Sequence, residues 1–534
     1  MVYEKRVYVD GVHYLLEGQN IQHGIWDTWS PNGGRWTVPP LYPILVAMFH
    51  YSISDLTSAG QLASVVVSTT IIPGIFLITR SAFGSKSGLW AAFLVAVDPL
   101  AAYYSVLTYA EPTFIAMLVW CVWFCIFTVE KGRGVLPPIL AGIFAALSYL
   151  TKAFGFAVGV WGLIVILYYT LSRQDKNGKR SLISPALYAV SFLVICIPYW
   201  IFLMSYLGHF AFDGKSQFEF GRLYAPTLAQ ERIDPRYEGV IDKDYEYEIY
   251  SGKPQFGYTS GTTFIRNYTN KYLQKIVEVF LVYPTSPVPP YSFVHLTTPI
   301  YLILVGLGLF SVPLSLSTRS QRALLMWAPL WLFIAPFGFI EIRYYVPFII
   351  LMIPFAAGGI ARFEDWLKNT FLFKDGRSRV FVIPLVALIF FAYCFPTLAY
   401  NLTHKWDPKI TYDQYKAAGD FLGEYTHEKG GNLVESADMI SYHAGMQGWV
   451  TPDTDYNGLV HFMLKHNIKF IAMDEYLTMR KHRRDGLKWL FKFPPQETEE
   501  LKPIYWDDQI PGQRVVIYEL KDETIEMWNK GLVE

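Results

Sequence analysis

Ten mainly apolar stretches, near 60–79, 88–107, 111–129, 135–151, 154–171, 185–207, 298–317, 323–340, 343–361 and 380–400, limit what this chain can fold into. Each approaches the roughly 17 to 25 residues that a helix needs to cross a bilayer. In hydrocarbon every backbone polar group must be satisfied internally, so the runs read as helices of a polytopic, mainly α bundle. One further run, Leu41 to Ile53, follows Pro39 and Pro40 and is too short to span. It reads as a juxtamembrane helix.

Composition agrees with this class and excludes others. Of 534 residues, 52% are hydrophobic and 17% charged, which no disordered chain sustains. Forty-five Lys plus Arg balance forty-five Asp plus Glu, so no overall field gathers polyanions and no nucleic-acid partner is expected. The four cysteines, Cys121, Cys125, Cys196 and Cys394, lie inside apolar runs, where a thiol behaves as a small hydrophobe. Cys121 and Cys125 share a helical face, but no further ligand stands nearby, and packing is the better reading.

Orientation follows from Lys and Arg in the short loops. With residues 1 to 58 outside, the inner loops hold Arg80, Lys86, Arg133, Arg173, Lys176, Arg319, Arg322, Arg362 and Lys374, whereas the short outer turns hold only Lys152 and Arg343. The chain then divides into an external juxtamembrane loop (1–58), a transmembrane domain (59–400) and an external soluble domain (401–534). The outer loop 208–297 is rich in Tyr, Gly and Pro and reads as ordered loop with short helices. In the tail, a helix at Tyr415 to Tyr425, an apolar run at Asn432 to Glu435, a helix at Leu459 to Asn467, a run at Lys469 to Met473 and a late strand at Arg514 to Leu520 predict a small α/β fold. No span precedes Lys5 and Arg6 to carry them across, and the favoured explanation is a first span upstream of Met1.

Ionisable residues at the edges of spans are functional candidates, because hydrocarbon penalises them. Glu111, in Tyr109-Ala110-Glu111-Pro112, opens the third span on the outer side, and Asp98 precedes Pro99 at the outer end of the second. A carboxylate at a helix N-terminus followed by Pro also has a purely structural reading. Lys152 and Arg343 occupy the other tight outer turns, and Arg35 stands at the membrane surface. Each alone reads as a snorkelling or interfacial anchor. Two cations and two carboxylates on one interface instead suit a site that handles a phosphate and a proton.

Asp10 starts a predicted amphipathic helix that also carries His13, Tyr14 and Glu17, and an N-cap is its plain structural role. Asp10 and His13 form only a weak metal pair; no cofactor is required, and a divalent metal stays open. Asp453-Thr454-Asp455 reads as an acidic turn.

These residues resemble, in order and on one face, the C-type (GT-C) glycosyltransferases. The likeness runs from Asp10, His13-Tyr14 and Pro39-Pro40-Leu41-Tyr42-Pro43 through Asp98-Pro99, Thr108, Glu111-Pro112 and Ala141-Gly142 to Leu150-Thr151-Lys152 and Arg343-Tyr344-Tyr345-Val346-Pro347, with an external α/β tail. The branch is that of protein O-mannosyltransferases, the lipid A aminoarabinose transferase and bacterial lipopolysaccharide sugar transferases. This chain departs from it in having Asp10-Gly11 where many members carry two adjacent acids.

The resemblance implies a polyprenyl- or dolichyl-phosphate sugar as donor and a hydroxyl of a glycan, lipid or protein as acceptor, with transfer on the outer face of a membrane, by preference a prokaryotic plasma membrane. On this reading Asp10 is the general base and Glu111 assists it. Arg343, then Lys152 and Arg35, hold the donor phosphate, with His13, Tyr14, Asp98 and Tyr344 in support. Inversion at the anomeric carbon is expected. A relative that transfers or polymerises oligosaccharides is the alternative within the class. A transporter would place its charges near mid-membrane and repeat its halves; a receptor or scaffold would leave the coincidence of Asp10, Glu111, Lys152 and Arg343 unexplained.

Overall fold

The computed structural model describes residues 9–24, 38–131, 134–172, 182–207, 210, 212, 241–242, 247–248, 318–330, 343, 346–369, 413–427, 430–435, 439–451, 455–475, 487–509 and 514–531. Two compact units divide the chain: a membrane unit, Val38–Ser216 with Thr259–His404, and a polar unit, Met1–Thr37 with Gln217–Tyr258 and Lys405–Glu534.

In the membrane unit the described helices are α2 (Leu41–His50), α3 (Leu56–Thr69), α4 (Ile71–Phe83), α5 (Ser85–Val97), α6 (Pro99–Ser105), α7 (Glu111–Lys131), α8 (Leu136–Tyr149), α9 (Gly155–Leu171), α10 (Ile183–Leu207), α11 (Arg319–Trp327) and α12 (Val346–Asn369). Four helical stretches are long and apolar enough to cross a membrane: Leu56–Phe83, Glu111–Glu130, Ile183–Ser205 and Val346–Asp365. Shorter apolar helices, α2, α5, α8 and α9, stand with them. Helix α7 is buried along most of its length between α4, α8, α9 and α11, with Cys121 and Cys125 inside the packing. Helix α10 instead exposes Val190, Val194, Ile197 and Ile201, the apolar stripe expected of a lipid-facing helix.

The expected span 88–107 is not one helix. It breaks after Val97, because Asp98 adopts an extended backbone and caps α6 while Pro99 takes the first helical position. The expected span 60–79 falls within α3 and α4, which meet at Thr70. Runs 298–317 and 380–400, and most of 323–340, lie outside the described residues.

The polar unit holds α1 (Val9–Gln22), the two-residue strands β1 (Ile241–Asp242) and β2 (Tyr247–Glu248), and an α/β fold in the tail. The short helices expected within 208–297 lie outside the described residues, which in that stretch are 210, 212, 241–242 and 247–248. The tail runs α13 (Asp413–Thr426), β3 (Leu433–Glu435), α14 (Met439–Ala444), β4 (Gly448–Val450), α15 (Tyr456–Lys465), β5 (Phe470–Asp474), β6 (Leu501–Asp507), β7 (Val515–Leu520) and α16 (Asp522–Asn529). The sheet order is β4-β3-β5-β7-β6, with β3 parallel to β4 and β5, and β7 antiparallel to β5 and β6.

Helices cover both sheet faces, so the inner strands β3, β5 and β7 are continuously buried rather than alternating. One face packs Val434, Ile471, Met473, Val516 and Tyr518 against Leu459, Phe462 and Met463 of α15. On the other face Tyr415 and Tyr425 of α13 donate hydrogen bonds to Asp474 (2.9 Å) and Glu519 (2.7 Å). Asp455, expected in an acidic turn, caps α15 by accepting from the Gly458 N–H at 2.9 Å.

Candidate active site

Glu111 is the first residue of α7 and its side chain is 2% exposed. A carboxylate there gains from the partial positive charge of the helix start, and Pro112 takes a position where no N–H is needed. Burial that deep demands closer compensation. It comes from Lys152, whose ammonium lies 2.5 Å from Glu111 Oε1, and from Arg343, whose Nε lies 3.5 Å from the same oxygen. The Arg343 guanidinium also lies over the Tyr109 ring, 5.2 Å from its centroid.

Local structure fixes Lys152. Helix α8 ends as Leu150, Thr151 and Lys152 turn their N–H groups back onto Ala146 and Ser148 at 2.8, 3.2 and 3.0 Å. The Lys152 carbonyl then accepts from Gly155 N–H at 2.8 Å as α9 begins. Any side chain at Gly155 would strike the backbone of Ser148 and Tyr149, so the hairpin that presents Lys152 closes only on glycine. The Leu150 carbonyl accepts from Leu41 N–H at 2.8 Å, tying α2 to the same turn. Tyr42, fully buried, donates to or accepts from Ser64 Oγ at 2.8 Å and donates to the Gly60 carbonyl at 3.0 Å, which docks α2 on α3.

Sequence reasoning therefore placed Glu111, Lys152 and Arg343 at one interface, and all three meet on one carboxylate oxygen. One negative charge faces two positive ones, both cations only 13% exposed. Two cations thus stand beside one carboxylate and a helix N-terminus, groups of the kind that bind anions.

The other candidates have surroundings of their own or lie outside the described residues. Asp98 is buried, and its Oδ1 accepts from Ala101 N–H at 2.7 Å as the cap of α6. Asp10 belongs to the polar unit; α1 begins one residue before it, so it lies in the first helical turn rather than at the cap. His13 and Tyr14 follow on α1, which buries Val12, Leu15 and Glu17. Arg35 and Tyr344 lie outside the described residues. Among the described residues no three His, Cys, Asp or Glu side chains converge as a metal would require.

Two features escaped the sequence. Thr113 is completely buried beside Glu111, a hydroxyl in an apolar run that no pattern marks. Near Lys152, Trp200 Nε1 donates to Tyr149 Oη at 2.8 Å, and that hydroxyl donates to the Phe212 carbonyl, with Phe156 packed against both rings. Its only sequence signal was an excess of aromatics.

Comparison with known proteins agrees with this architecture. Residues 37–202 match the family model of dolichyl-phosphate-mannose-protein mannosyltransferases. No curated protein sequence matches. The structure of ArnT from Cupriavidus metallidurans bound to undecaprenyl phosphate is 12% identical, with a TM-score of 0.59 over 98% of this chain and 95% of that one. The oligosaccharyltransferase of Archaeoglobus fulgidus with zinc and sulfate is 14% identical, TM-score 0.51, over 89% of this chain and 65% of that one. The oligosaccharyltransferase AglB from Archaeoglobus fulgidus, with an inhibitory peptide and a dolichol-phosphate, is 15% identical, TM-score 0.50, over 88% of this chain and 66% of that one. This chain thus spans about two thirds of the oligosaccharyltransferase and nearly all of ArnT. At these identities the likeness establishes the fold, and it is the GT-C fold of membrane glycosyltransferases.

Proposed function

We propose that this GT-C membrane protein transfers a sugar from a polyprenyl-phosphate donor to an acceptor hydroxyl. The observation that carries the reading is the convergence of Lys152 and Arg343 on one oxygen of Glu111, at the start of α7 and in a nearly buried place. Two fixed cations beside a helix N-terminus suit the phosphodiester of such a donor. Support comes from the family match over 37–202 and from ArnT and AglB, whose structures hold undecaprenyl phosphate and a dolichol-phosphate.

In the proposed reaction the acceptor oxygen attacks the anomeric carbon as the bond from that carbon to the phosphate oxygen breaks. The bonding pair leaves with the lipid phosphate, and the acceptor proton passes to a carboxylate. Attack opposite the leaving phosphate inverts the anomeric centre. Charge grows on the phosphate as it departs, and fixed donors aimed at such charge are worth about 10²- to 10³-fold each. Arg343 and Lys152 fill that role. Glu111 positions both cations. Asp10 is assigned as general base from the sequence resemblance, a role worth about 10²- to 10⁴-fold.

A lipid-phosphate donor carries its own activated bond and anchors itself beside the helices, so transfer on the outer face needs no nucleotide. The test is transfer of labelled sugar from polyprenyl-phosphate donors in liposomes. Wild type transfers; Asp10→Asn and Arg343→Gln, folded and inserted normally, fall by at least 100-fold. Undiminished transfer by Arg343→Gln would remove the phosphate role, and no transfer by wild type from any lipid-phosphate sugar would remove the function.

A further inference from the structure

Around the start of α7, polar atoms of buried side chains lack partners. Thr108 Oγ1, Glu111 Oε2 and Thr113 Oγ1 have no hydrogen-bond partner among the described residues, although both threonines are completely buried and Glu111 nearly so. Such groups are scarce in native proteins, because a buried donor or acceptor left unpaired keeps its full desolvation penalty.

Three other buried hydroxyls of the membrane unit are satisfied locally. Thr79, Ser148 and Thr151 donate to the carbonyls of Ile75, Ala145 and Leu147 at 2.7, 2.7 and 2.8 Å, one turn back along their helices. Thr108 has no such outlet, since it stands in the short link between α6 and α7 with no helix behind it. Glu111 spends Oε1 on two cations, which leaves Oε2 as a pure acceptor. A hydroxyl that both gives and takes, three residues from an oxygen that only takes, complements a polyol.

We infer that Thr108 and the Oε2 oxygen of Glu111 read the ring hydroxyls of the donor sugar, and so set which sugar is accepted. The inference rests on the proposed function, because a glycosyl phosphate seated on Lys152 and Arg343 carries its sugar ring one bond away from the phosphate. Thr113, two residues past Glu111 and on another side of the helix, is not assigned to this set.

The test measures binding of undecaprenyl phosphate and of undecaprenyl-phosphate mannose, glucose, galactose and arabinose to the full chain in detergent. Wild type is compared with Thr108→Val, which removes the hydroxyl at constant shape, and with Thr108→Ser, which restores it. Thr108→Val is expected to melt no lower than wild type and to bind the bare carrier within twofold. It should bind the preferred glycosylated carrier about tenfold more weakly, with Thr108→Ser near wild type. A deoxy analogue lacking the hydroxyl that is read should bind wild type and Thr108→Val alike.

Equal weakening of bare and glycosylated carrier overturns the inference in favour of a structural role. No weakening of either overturns it in favour of a hydroxyl met by buried water alone. If the bare carrier binds wild type and Lys152→Met equally, the phosphate site itself falls and the inference falls with it, an outcome distinct from the first two.

Discussion

At the residue scale, the arrangement of charge around Glu111 has a consequence for stability. Substituting Glu111→Gln leaves two cations side by side without their carboxylate, and loss of one partner from a buried ionic cluster costs about 3 to 5 kcal/mol. An anionic ligand then supplies counter-charge that the variant has lost. Thermal melting in detergent is expected to drop for Glu111→Gln and to recover more with undecaprenyl phosphate than wild type gains from the same addition. Equal gains would separate the carboxylate from the ligand. Glu111, Lys152 and Arg343 were legible in the sequence because a charge beside an apolar run is conspicuous. The absence of a partner for Thr108 was not, since the type of a residue says nothing of what its hydroxyl touches.

At the element scale, the hairpin between α8 and α9 converts helix packing into the position of one ammonium. Gly155 lies against the backbone of Ser148 and Tyr149, and Gly142 lies against that of Tyr188 on α10. A methyl group meets only backbone at Gly155 and the Ser191 hydroxyl as well as backbone at Gly142, and overpacking of this kind costs about 1 to 3 kcal/mol. Gly155→Ala is expected to lower both the melting temperature and carrier binding, because it opens the Lys152 turn; Gly142→Ala is expected to lower the melting temperature with a smaller loss of binding. Titrations of both variants with undecaprenyl phosphate check the contrast. Periodicity and length found the apolar helices, and Pro99 after Asp98 carried the signal for the break that the run 88–107 concealed. In the tail, the long buried strands β5 and β7 were legible from their apolar runs. Strand β4 has three residues and β6 contains Pro503, so neither stands out from loop.

At the scale of the whole molecule, the two units differ in how they respond to solvent. In the tail, Glu435 ends β3 fully desolvated, accepting from the N–H groups of Ile440 and Ser441 at 2.9 and 2.8 Å. Burial pushes its carboxyl up to about 7 from an ordinary 4.5, outweighing those hydrogen bonds, and Asp474 adds to the shift. The folded state therefore holds a proton that the unfolded chain releases, so the stabilisation is full below about pH 4.5 and is lost as pH rises through about 7. Hydrogen exchange of the 433–444 segment in the full chain is expected to quicken from pH 6 to pH 8 beyond its intrinsic rate. Glu435→Gln should remove that excess and gain roughly 1 kcal/mol at pH 8; an unchanged pH response in the variant would assign the effect elsewhere. The membrane unit, in contrast, is expected to answer chiefly to its lipid ligand. The claim on which the account turns is that Lys152 and Arg343 hold a phosphate, and the most direct measurement compares binding of undecaprenyl phosphate with binding of undecaprenol, the same chain without the phosphate. Wild type should prefer the phosphate by at least tenfold, and Lys152→Met combined with Arg343→Met should bind the two lipids alike. A double variant that keeps the full preference would contradict the account.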